Sequence, residues 1–200
     1  MSEETKVSRR DLIARAGAAL AAGRMLSAQE TQHVHDAVAE DTQGAPYHPK
    51  ALTAHEYATL QRLSDLILPA DEHSKGALAA GSADFIDFLC NASTEMREIY
   101  TGGLMWIDNA MQHRYGKTFV DAAPDQQTAL LDRIAYRRNA TLELNPGIEF
   151  FSWVRRMVVD AYYTTPMGFK EVGYMGNSAM SHFSVPQEAV DYVMKRSPLG

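Results

Sequence analysis

From Leu52 onward, apolar residues recur at spacings of three and four, as in helices that bury one face. Leu60, Leu63, Leu66 and Ile67 make the first such face. Thr53 and Glu56 ahead of it have capping-box spacing, in which a hydroxyl and a carboxylate each satisfy a free backbone N–H. Pro69 ends the run, because it lacks the N–H that a helix interior needs. A polar loop over 69–77 follows. Ser82 is placed to cap a second helix carrying Phe85, Ile86, Leu89 and Cys90. A long helix over 94–115 carries Ile99, Tyr100, Leu104, Ile107 and Met111, with Trp106 to one side and Gly116 as its stop. Pro124 opens another, where a missing N–H costs nothing, with Leu130, Leu131, Ile134 and Ala135 facing inward. Pro146-Gly147 opens a fifth, with Phe150, Phe151, Val154, Met157, Val158, Ala161 and Tyr162. Residues 186–194 read as a short terminal helix. No segment alternates as a strand does, and no repeat is visible. The expected fold is all-α, a compact multi-helix bundle with a loop-rich C-terminal segment.

The chain ahead of Leu52 has a different character. Residues 29–50 show no apolar periodicity and are rich in Gln, His, Asp, Glu, Gly and Pro, which predicts a flexible arm. Residues 1–28 hold Ser8-Arg9-Arg10-Asp11-Leu12-Ile13 and then the small-residue run Ala14 to Gly23. A basic stretch before a weakly apolar one of about 7–15 residues is the build of an export signal. With the pair Arg9 and Arg10 it reads as a bacterial twin-arginine signal. The run is broken by Arg15 and is too short for a membrane span, which needs about 20 apolar residues. Leu26-Ser27-Ala28 offers a small-residue match for cleavage after Ala28. The expected organisation is thus a signal segment over 1–28, an arm over 29–50 and a helical domain over 51–200.

Charge narrows the partners. The whole chain carries −6, and the basic leader leaves the remaining residues more acidic still. An acidic body disfavours nucleic acid, whose phosphates call for a basic face. The single cysteine, Cys90, lies in the apolar stretch from Phe85, which predicts a buried structural thiol.

The densest titratable group is Asp71-Glu72-His73. A carboxylate beside an imidazole can bind a metal or relay protons. The alternative is a connecting loop whose Asp71 caps local backbone N–H groups. His33 and His35 form a second pair that could clamp a metal or could simply be solvated. Gly168, Gly173 and Gly176 have the wrong spacing for a dinucleotide fingerprint. Their expected role is backbone turns at positive φ that display Tyr174, Met175 and Asn177, either as a contact surface or as the cap of the bundle. Phe150, Phe151, Trp153, Tyr162, Tyr163 and Phe169 spread around more than one helix face, so part of that set is expected at an interface, where Trp, Tyr and Met are enriched. Arg155-Arg156 beside them reads as solvated. No catalytic site can be assembled from these residues.

Two segments resemble a known family. One is Leu66-Ile67-Leu68-Pro69-Ala70-Asp71-Glu72-His73-Ser74, with Gly76-Ala77, Ala80-Gly81 and Ala83-Asp84-Phe85-Ile86-Asp87. The other runs from Tyr163-Thr164-Thr165-Pro166-Met167-Gly168 to Gly173-Tyr174-Met175-Gly176-Asn177. With the leader, they resemble the gluconate 2-dehydrogenase subunit 3 family. The resemblance implies a small, non-catalytic helical subunit of a periplasmic sugar or polyol dehydrogenase, or of one that is membrane-associated, this chain then being held at the membrane through the complex. The large partner would be a glucose-methanol-choline (GMC) type flavoprotein holding FAD, with a cytochrome c subunit as electron acceptor. No cofactor and no metal are then expected in this chain, whose role would be maturation and export of the partner through the twin-arginine translocase. The expected contacts are Trp153, Tyr162, Tyr163, Phe169, Gly173, Tyr174, Met175, Gly176 and Asn177. The rival reading is a stand-alone periplasmic metal- or redox-active protein using the Asp71, Glu72 and His73 loop.

Overall fold

The computed structural model describes Ile13, Gly17 and residues 26–174 and 185–197. Arg9, Arg10, Met175, Gly176 and Asn177 lie outside the described residues. The described residues form helices α1 (Ala28–Thr42), α2 (Ala54–Ile67), α3 (Gly76–Ala79), α4 (Ser82–Ala92), α5 (Thr94–Tyr115), α6 (Pro124–Ile134), α7 (Asn145–Tyr163), α8 (Pro166–Glu171) and α9 (Gln187–Met194). A 3-10 turn, Arg137–Asn139, links α6 to α7, and no strand occurs among the described residues. None of the described helices is long and apolar enough to cross a membrane.

The expected apolar faces become the core. Helices α4, α5 and α7 pack on one another at the centre, α2 packs across all three, and α6 closes α5 and α7. Leu60, Leu63, Phe85, Ile86, Leu89, Tyr100, Leu104 and Ile107 are fully buried. The α5–α7 crossing is close because each helix gives the other a glycine. A Cβ on Gly103 would fall 2.0 Å from the Phe150 ring, and one on Gly147 would fall 2.2 Å from Trp106. The α2 capping box forms as expected, with Thr53 Oγ1 accepting from Glu56 N and Glu56 accepting from Thr53 N. Ser82 departs from its expected role. The residue before α4 is Gly81, in the left-handed region at φ 69°, and Ser82 lies inside the helix, its hydroxyl directed at Val158 O.

Residues 29–50 depart from the expected arm without regular structure, in that 29–42 are helical. They form α1, whose Val34 is fully buried and whose His35 packs on Phe85 at 4.7 Å between ring centroids. The helix starts at a capping box of its own. Ser27 Oγ accepts from Glu30 N, and Glu30 accepts from Ser27 N at 2.8 Å. His35 Nε2 shares a hydrogen bond with Thr164 Oγ1 at 2.9 Å, which ties α1 to the end of α7. Two residues ahead of α1 also reach the body. Ile13 joins the core, and a Cβ on Gly17 would lie 2.5 Å from Ser93 Cβ, at the α4–α5 junction.

Burial holds the His35 pKa below its ordinary value, with Asp36 opposing. A depressed imidazole pKa contributes stability that is complete above about pH 6.5 and is lost as pH falls through the folded-state value. Acidification should therefore loosen α1. Amide exchange corrected for intrinsic rate should show α1 losing protection between about pH 7.5 and pH 5, relative to α5, and a His35→Gln chain should lose that pH dependence.

Candidate partner-binding surface

The titratable loop between α2 and α3 is built around its own backbone. Asp71 Oδ1 accepts from His73 N and Ser74 N, both at 2.7 Å, and Asp71 N donates to Ser74 O. Those two donors hold the Asp71 carboxyl below the ordinary carboxylate range. Ser74 Oγ meets the Tyr162 hydroxyl at 2.7 Å and also accepts from Gly76 N. Glu72 and His73 point outward, more than four-fifths exposed, with Glu72 Oε1 and His73 Nε2 3.3 Å apart. Asp71 thus fills the capping role. Among the described residues, no three His, Cys, Asp or Glu side chains gather as metal ligands would.

The aromatic set divides. Tyr162, expected at an interface, is fully buried, because its hydroxyl is held between Ser74 and Glu171. Phe150 and Phe151 are core as well. Tyr163 is half-buried and donates to Glu171 Oε1 at 3.3 Å. Phe169 and Tyr174 are exposed and pack together at 5.6 Å between centroids. The expected glycine loop begins later than anticipated, because residues 166–171 form α8, capped by the Thr165 hydroxyl accepting from Gly168 N. Gly168 serves a close approach and not a turn, since its Cβ would sit 2.4 Å from Tyr162 O. Gly173 does adopt positive φ, at 65°.

The least satisfied part of the surface lies on α7. A cavity of about 730 Å³ opens there beside Arg137, Trp153, Arg155, Arg156 and Asp160. The Arg156 guanidinium stacks over Trp153 at 4.4 Å from the ring. Arg156 Nε and Nη2 are shut off from water without a hydrogen-bond partner, while Trp153 Nε1 and the Tyr100 hydroxyl on α5, equally buried, face each other. An unpaired buried polar group costs about 1–3 kcal/mol, and a charged one more. Burial raises the Asp160 pKa while Arg156 opposes that shift, yet the two make no ion pair within 4.0 Å. Arg155 is exposed, as expected; Arg156 is not. A second cavity of about 510 Å³ adjoins the first, sharing Glu149 and Trp153 and walled by Ile99, Gly103, Met105 and Phe150.

Residues 54–182 match the family model described as gluconate 2-dehydrogenase subunit 3. The chain belongs to that family. No curated protein and no solved structure matches it. The gluconate 2-dehydrogenase subunit 3 match opens with the first residue of α2, so α1 and the residues ahead of it stand outside the match. The family name implies a multi-subunit dehydrogenase complex.

The residues that carry the resemblance hold this subunit 3 fold together. Asp87 is fully buried on α4, and its carboxylate accepts from Tyr47 Oη at 2.8 Å, Lys50 N at 2.7 Å, Leu52 N at 2.9 Å and Ala51 N at 3.2 Å. Asp84, one turn earlier, accepts from the Tyr57 hydroxyl. Burial and the adjacent carboxylates push both phenols up, so Tyr47 and Tyr57 remain donors. Burial likewise pushes the Cys90 thiol up, which keeps it protonated. Sequence periodicity has no means of finding the Asp87 anchor, because a charged residue on an apolar face looks like an interruption of it.

Proposed function

We propose that this chain is a non-catalytic accessory subunit that docks on a large FAD-dependent GMC-type sugar or polyol dehydrogenase and takes it through the twin-arginine pathway to the periplasm. The observation that carries this reading is the family match over 54–182. The Ser8-Arg9-Arg10-Asp11-Leu12-Ile13 motif supports the route. The disposition of the reactive side chains supports the accessory role. Asp84 and Asp87 hold the fold, Cys90 is an interior thiol, and Asp71 caps its own loop. In this reading FAD and substrate specificity belong to the partner, electrons pass to a cytochrome c subunit, and any membrane attachment comes through the complex.

The test is co-purification. A tagged full chain expressed in its native host is expected to bring down a yellow, FAD-containing large subunit. Changing Arg9 and Arg10 together to Lys is expected to leave that flavoprotein, and its dye-linked dehydrogenase activity, in the cytoplasm. Recovery of a fully exported flavoprotein alongside the double variant would sink the carrier role. Capture of no flavoprotein by the unaltered chain would sink the accessory role.

A further inference from the structure

We infer that the α7 cavity is the seat of an acidic side chain of the large subunit, clamped by Arg156 and Arg137 beside Trp153. This rests on the accessory-subunit reading above and assigns it a surface. Three lines of geometry converge on it.

First, donors are present without acceptors. Arg156 Nε and Nη2 are withdrawn from water and unpaired. The Arg156 guanidinium is held by its stack on Trp153, with no hydrogen bond or ion pair to fix it. A guanidinium presents a planar fork that matches a carboxylate through two parallel N–H···O bonds. Nε and Nη2 share one edge of that fork, the edge that an incoming carboxylate would take.

Second, the local charge runs against the whole. The chain carries −6, yet Arg137, Arg155 and Arg156 outnumber Glu149 and Asp160 around this opening. An acidic partner group is favoured here relative to the net charge of the chain.

Third, the adjoining apolar cavity argues for a protein over a free anion. It shares the Trp153 wall, and Met105 on its rim is 62% exposed. A small carboxylate fills only the charged half. A protein surface presenting an acid beside an apolar side chain fills both, and Trp, Arg and Met are the residues that interfaces favour.

The experiment measures capture of the native flavoprotein by the full chain and by Arg156→Gln, Arg137→Gln and Met105→Ala, each checked for an unchanged melting temperature. Arg156→Gln is expected to weaken binding by about 30-fold or more, and Arg156→Lys to recover only part of it. Arg137→Gln and Met105→Ala should weaken it less, and affinity should fall with added salt. If the unaltered chain captures the flavoprotein and folded Arg156→Gln and Arg137→Gln do so equally well, the assignment of this cavity is overturned while the accessory role stands. If the unaltered chain captures nothing, the accessory role itself has failed. Citrate titrated into the free chain separates the remaining source. Saturable citrate binding that is lost in Arg156→Gln, with flavoprotein capture unaffected, would overturn the protein occupant in favour of a free carboxylate.

Discussion

Replacing Asp87 with Ala is expected to destabilise the chain by about 3 kcal/mol or more, enough to lower the melting temperature by roughly 6–12 °C for a chain of this size. The carboxylate is fully buried and accepts four hydrogen bonds, three of them from successive backbone amides, Lys50 to Leu52. Removing it leaves those amides facing the stub of an alanine while the Tyr47 hydroxyl loses its acceptor. Water cannot readily replace it at Leu52, because that contact is buried. Asp87→Asn keeps one acceptor oxygen and is expected to recover about half of the loss. Urea unfolding measures both. The predicted signature is a lower midpoint at unchanged slope, with residues 47–52 gaining amide exchange before α5 does. A variant as stable as the parent would show that the segment ahead of α2 is held by packing alone.

The second large effect is expected at Gly76, the first residue of α3. It has φ +73°, and a Cβ there would lie 2.6 Å from Ala70 N, 2.8 Å from Pro69 C and 2.9 Å from Leu68 O. Those are backbone atoms of a strapped loop, and Ala77 N donates to the same Leu68 carbonyl at 2.9 Å. Gly76→Ala therefore combines left-handed strain, about 1–2 kcal/mol, with an overlap that no side-chain rotation relieves. A total of about 3 kcal/mol is expected. Gly116→Ala is the matched control. Gly116 also has positive φ, at +67°, but nothing lies within 4 Å of its Cβ position. It should cost only the backbone strain, about 1–2 kcal/mol. Equal melting temperatures for the two variants would show that the loop gives way.

These two residues bear on what the chain's pattern reveals. The long helix was legible over 94–115, with Gly116 as a local stop signal that no tertiary contact overrides; its N-cap, Ser93, emerges from the structure. Helix α1 was not, since it is anchored by Val34 and a few neighbours and offers too narrow an apolar stripe to register as periodic. The Ser27 and Glu30 spacing was the available sign of it. Tyr162 looked like surplus aromatic surface because Ser74, 88 positions away, is what satisfies its hydroxyl. The Arg156–Trp153 pair was open to inspection, three residues apart on one helix. Only the unpaired donors around it, visible once α5 and α7 are packed, set it apart from its solvated neighbour Arg155.

The capping box at Ser27 bears on processing of the N-terminus. A peptidase draws its substrate into an extended strand and acts where the backbone yields readily. The bond after Ala28 instead lies in the first turn of α1, between residues clasped by Ser27 and Glu30. Cutting there removes the cap and frees the start of a helix that His35 pins to Thr164. It also releases Ile13 from the core and Gly17 from Ser93. In the folded chain the bond after Ala28 is therefore shielded, and Ile13 and Gly17 ahead of it already belong to the tertiary structure.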